Sequence, residues 1–160
     1  MSQPIPGSIT SAHRFLIPMG RAQVWDVISD VDAYRSWWPW LRRFQASGLT
    51  EGDRWRCEVQ PPLPYIVRLE VHLVSVEVPA RIEAEITGDV VGKAKLTLVE
   101  EGEGCVAELS STLAPRSAHL RWVARLASPV ARFGHDWVLE SGARQFIQRA
   151  IVSTGTPELE

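Results

Sequence analysis

The chain has 160 residues, 45% hydrophobic and 22% charged, with a formal net charge of -2. That is the balance of one globular domain able to bury a core without metals or disulfides, and it argues against a nucleic-acid binder that relies on overall positive charge. Seven tryptophans outnumber the two tyrosines and four phenylalanines combined, so the fold must find places for many large rings.

Residues 8 to 17 mix Ile9, Phe15, Leu16 and Ile17 with polar residues and read as a strand that Pro18 and Gly20 end. Val24, Val27, Ile28 and Val31 then fall at helical spacing. A second short helix is expected from Ala33 to Trp38, before Pro39 interferes. From residue 53 the period becomes two. Trp55, Cys57 and Val59 alternate with Arg54, Arg56 and Glu58. Pro61, Pro62 and Pro64 make a bend, and Val67, Leu69, Val71 and Leu73 resume the alternation. Ile82, Ala84 and Ile86 follow, then Gly92, Ala94, Leu96 and Leu98, then Ala107, Leu109, Ser111 and Leu113. Such half-buried strands with tight connections predict an antiparallel sheet with one apolar and one wet face, five or six strands in the run.

Pro115 ends the sheet, and from Ser117 to about Val152 the pattern is helical. Pro129 either kinks that helix or starts a new one at its first turn. Ala131, His135, Val138, Leu139, Gly142 and Phe146 share the face expected on the sheet, while Asp136, Glu140 and Arg144 share one expected in water. The order is α+β: one antiparallel sheet with helices on one face, in a single domain over 1–160 with flexible ends at 1–7 and 153–160.

The first residues have no basic start and no apolar run, so a signal peptide is not expected, no stretch reaches the 18 uninterrupted apolar residues of a membrane span, and Cys57 and Cys105 read as two buried free thiols of a cytoplasmic protein. No His, Cys or carboxylate set has metal-ligand spacing, and there is no phosphate loop or nucleophile elbow, so neither metal nor cofactor is expected.

Pro18 followed by Val24-Trp25-Asp26-Val27-Ile28-Ser29-Asp30, then Tyr34 and Trp37-Trp38-Pro39, and Arg132-Phe133-Gly134-His135-Asp136-Trp137-Val138 near the far end, carry a family likeness. On these residues the chain resembles the SRPBCC or START-like superfamily, in particular its bacterial polyketide cyclase/dehydrase-like branch. The resemblance implies a helix-grip fold: a curved sheet wrapped around a long C-terminal helix, two short helices after the first strand, and an apolar cavity between sheet and helix. It implies a hydrophobic small-molecule partner, such as a lipid, polyketide or quinone.

Small inward residues support such a cavity: Ala84, Gly92, Ala94, Ala107 and Ser111 face Ala131 and Gly142, although Trp55 and the helix are an alternative filling. The candidate ligand-binding residues are Trp38, Trp40, Trp55, Leu69, Val71, Ala94, Leu96, Leu109, His135, Leu139 and Gly142. The candidate catalytic residue is His135, an imidazole on an otherwise apolar face; the competing reading is a hydrogen-bonded core histidine. Tyr34, Trp37, Trp38 and Trp40 read either as an aromatic gate or as a plug, and Arg42 and Arg43 as a solvated edge.

Three functions compete. The first is binding of an apolar molecule. The second is a cyclase or dehydratase using an isolated acid/base. The third is a membrane-facing lipid or quinone carrier or chaperone touching anionic lipid through the basic stretch Arg116–Arg132, without stable insertion. The residues leave the choice between monomer and homodimer open, and nucleic acid is not an expected partner.

Overall fold

The computed structural model describes residues 8–62, 66–116 and 128–154, with the side chains of the last segment from 136 to 150. Strand β1 (Ile9–Ile17) leads to helix α1 (Arg21–Ile28), and a 3-10 turn (Val31–Ala33) runs into the short helix α2 (Tyr34–Trp37). Six strands follow: β2 (Leu41–Gln45), β3 (Arg54–Val59), β4 (Val67–Glu77), β5 (Arg81–Gly88), β6 (Val90–Glu101) and β7 (Gly104–Pro115). Helix α3 (Ser128–Thr154) is the last element. Ser128 opens it with Pro129 next, so the proline sits in the first turn, where its missing N–H has no helical partner to lose. The expected helical stretch from Ser117 to Ala127 lies outside the described residues.

All seven strands form one antiparallel sheet in the order β1-β7-β6-β5-β4-β3-β2, curled against α3 as a helix-grip fold requires. The long β6–β7 pairing runs from Val90↔Pro115 to Glu101↔Gly104. The run after the two short helices therefore has six strands, the upper of the two numbers expected. The strand whose residues were not read from the alternation is β2, and a bulge explains why its pattern does not alternate. Leu41 pairs with Val59 but Arg43 with Glu58, so Leu41 and Phe44, three apart, both reach the interior. A second irregularity between Leu73 and Ser75 turns Val74 outward and returns Val76 to the core.

The outer face is a ladder of charge. Glu58 lies between Arg43 (3.7 Å) and Arg68 (3.1 Å), and Arg54 reaches Glu70 at 2.8 Å. Such exposed pairs contribute at most about 1 kcal/mol each. The core lies on the inner face, where Leu73, Leu98, Val24 and Cys105 are fully buried and Phe146 and Ala150 bring α3 onto it. The water-facing stripe expected for Asp136, Glu140 and Arg144 needs a correction at Asp136. Its carboxylate Oδ1 accepts a hydrogen bond from Ser11 Oγ at 2.9 Å and so ties α3 to β1.

Candidate functional site

Between the inner face of the sheet, the α2–β2 region and α3 lies a cavity of about 380 Å³. That volume falls in the roughly 300–1,000 Å³ range of small-molecule sites. Period-two alternation supplies its wall: Leu69, Val71 and Leu73 from β4, Ala84 and Ile86 from β5, Ala94 and Leu96 from β6, Ala107 and Leu109 from β7. Helix α3 contributes Val138, Leu139, Gly142, Ala143, Phe146 and Ile147, one stripe of a 3.6-residue period. Trp38, Trp40 and Trp55 close the side toward β2 and β3. Of the residues expected to contact a ligand, Trp38, Trp40, Trp55, Leu69, Val71, Ala94, Leu96, Leu109, Leu139 and Gly142 all line this space. His135 lies in α3, but its side chain is outside those described.

The wall is almost wholly apolar. Its polar groups are committed elsewhere. The Tyr34 hydroxyl donates to the Ile28 carbonyl, and burial raises its pKa above the ordinary phenol value. The Lys95 ammonium lies 3.9 Å from Glu83. Cys57 is buried on β3, which pushes its thiol up to about 12 and keeps it protonated and unreactive.

The tryptophans act as fasteners as well as walls. Trp38 Nε1 donates to the Gly142 carbonyl at 2.9 Å, and Trp40 Nε1 donates to Gln145 Oε1 at 3.1 Å. Both bonds cross from the α2–β2 turn to α3. Trp38 stacks on Trp40 at 5.6 Å, Trp40 meets the edge of Trp137 at 6.4 Å, and Trp37 meets Phe146 at 5.7 Å. Gly142 makes this approach feasible, since a Cβ there would stand 3.3 Å from Trp40 Cζ2. Trp55 is held from its other end: its Nε1 donates to the Gly48 carbonyl at 2.8 Å. Asp53 braces that loop by accepting from Ser47 and from the Thr50 amide and hydroxyl, and the Thr50 amide chiefly holds its carboxyl below the usual range. Rings whose N–H groups are fixed in this way favour the plug over the gate at Trp38 and Trp40.

Sequence periodicity missed several wall residues. Phe15 and Ile17 stand on the alternation of β1 and were legible there. Leu41 and Phe44 were hidden by the β2 bulge, and Tyr34 sits in a helix of one turn, too short to show a period. Arg42 and Arg43 are exposed, as a solvated edge requires. Within the basic stretch Arg116–Arg132, Arg116 is exposed, and the rest lies outside the described residues or side chains. Among the described residues, no helix is long and apolar enough to cross a membrane.

Solved structures share this architecture. A Thermus thermophilus protein superposes with a TM-score of 0.76 at 15% identity, covering 92% of this chain and 100% of its own. A START superfamily protein from Mycobacterium smegmatis gives 0.71 at 13% identity, over 91% and 99%. The Streptomyces aromatase/cyclase Zhui gives 0.70 at 16% identity, over 93% and 99%. No curated protein matches the chain in sequence. At these identities the structures establish a common fold. The family model for polyketide cyclase/dehydrase and lipid transport matches residues 8–150, nearly the whole chain, and the protein belongs to that family.

Proposed function

We propose that the chain binds a hydrophobic small molecule, of lipid, polyketide or quinone type, in the cavity between sheet and α3. One observation carries this reading: a cavity of about 380 Å³ whose wall is almost wholly apolar. Transfer of apolar surface into it yields roughly 25 cal/mol per Å². A cyclase or dehydratase needs an acid or base within hydrogen-bond reach of a bound carbonyl. Among the described wall residues, Tyr34, Lys95 and Cys57 are each occupied or protonated, which favours binding over turnover.

Titration with the neutral probe N-phenyl-1-naphthylamine should quench tryptophan emission saturably, with one site per chain. Trp38, Trp40 and Trp55 in the wall are the reporters. A flat response to this probe, and to sterols, quinones, fatty alcohols and aromatic polyketides, overturns the reading.

A further inference from the structure

We propose that the cavity selects its ligand by charge: it takes uncharged molecules, and a molecule bearing a carboxyl group enters only as the protonated acid. The inference rests on the binding function proposed above and adds the charge class of the ligand.

Among the described wall residues, those with a polar side-chain atom are Tyr34, Trp38, Trp40, Trp55, Cys57 and Lys95. The three indole N–H groups are the obvious donors for an anion, and each is spent on a fixed acceptor of the protein. Trp38 Nε1 donates to the Gly142 carbonyl at 2.9 Å, Trp40 Nε1 to Gln145 Oε1 at 3.1 Å, and Trp55 Nε1 to the Gly48 carbonyl at 2.8 Å. An indole has one N–H, so none of the three has a second proton to offer. The Tyr34 hydroxyl gives its single proton to the Ile28 carbonyl. Cys57 keeps its proton, and a thiol is a weak donor. Lys95 is the one cation among the described wall residues. It alternates along β6 with Ala94 and Leu96, which face inward, so its ammonium points to the wet face. There it lies 3.9 Å from Glu83, its cross-strand partner.

The backbone around the cavity adds no donor in β4 to β7 or in α3. The amides of β4 to β7 are held in the ladders, and those of Val138 to Ile147 lie in the body of the helix. The wall residues on α1 and on α3 between Val138 and Ile147 carry no titratable side chain. An ionised carboxylate in this space therefore gives up its hydration and finds no donor among the described wall residues. Such a group takes up a proton rather than stay charged. A carbonyl or ester oxygen carries no charge and loses far less on entry. Binding thus raises the pKa of a ligand carboxyl above its free value of about 4, so affinity is full below that value and falls about tenfold for each pH unit above it.

The test compares 4-butylbenzoic acid with its methyl ester, two compounds compact enough to be taken up whole in about 380 Å³. Each serves as a displacer of N-phenyl-1-naphthylamine from the full chain. At pH 7 the ester should bind at least about a hundredfold more tightly than the acid. From pH 7 to pH 5 the acid should gain about tenfold in affinity per unit while the ester stays constant. Leu96→Lys, which sets an ammonium in the β6 part of the wall, should strengthen the acid about tenfold or more at pH 7 and weaken the ester. Should that variant not fold, the pH dependence of the wild type decides alone. Equal affinities of acid and ester at pH 7, or an acid affinity independent of pH, overturn the charge selection while the cavity reading stands. So does a folded Leu96→Lys without the gain, or an ester that fails to displace bound probe. Failure of both the ester and the probe to bind overturns the two readings together.

Discussion

Cys57 shows how one residue's surroundings set its chemistry. Burial alone pushes its thiol up to about 12, and Cys105 on β7 is raised chiefly for the same reason. The folded chain thus keeps protons that the unfolded chain releases near the ordinary thiol value. The stabilising effect is complete below that value and is lost as pH climbs toward the folded one. Between pH 8.5 and 10, Cys57 should lower stability by about 1 kcal/mol. Urea unfolding under reducing conditions should show the gap between wild type and Cys57→Ala narrowing by that amount; a gap independent of pH contradicts it. The burial of both thiols was readable from lone cysteines on alternating strands. Which of them faces the cavity was not, because alternation names a face without saying whether that face meets a neighbour or a void.

At the scale of elements, curvature comes from places where regular pattern breaks. Gly92 on β6 pairs with Ile86 on β5 and Leu113 on β7, and a Cβ there would lie 1.8 Å from the Thr112 carbonyl oxygen. The backbones approach too closely for any side chain. Gly92→Val should cost about 3 kcal/mol or more by forcing β6 and β7 apart. A urea midpoint within error of wild type would refute that account. The β2 bulge has the converse effect on legibility. It draws Leu41 and Phe44 inward at a spacing of three, so a period-two search passes over a real strand. The long strands and α3 suffer no such interruption over most of their length, and their existence and inward faces were plain from residue spacing. Asp136 was assigned to the wet stripe because periodicity reports angle around the helix alone; its bond to Ser11 depends on where β1 lies.

At the scale of the whole molecule, the decisive feature is space left unfilled. Ala94 projects into the cavity from β6. Enlarging it should fill a void rather than strain a packed core, so Ala94→Leu should change stability by less than about 1 kcal/mol. The same change should abolish the quench by N-phenyl-1-naphthylamine, and retained binding would show that the probe sits elsewhere. A ligand at 100 times its Kd should stabilise the wild type by about 2.7 kcal/mol, read as a shift in Tm that Ala94→Leu lacks. Seven tryptophans entered as a compositional surplus. Five of them, Trp37, Trp38, Trp40, Trp55 and Trp137, prove to pack where α2, β2, β3 and α3 meet beside the cavity. The amino-acid sequence by itself determined the α+β class, the antiparallel sheet and the inward faces, because apolar periodicity and turn residues act locally along the chain. Only the tertiary structure decided that those faces enclose an open volume, that Trp38 and Trp40 fasten α3, and that His13 meets Asp136, because each depends on distances between residues about 100 or more positions apart.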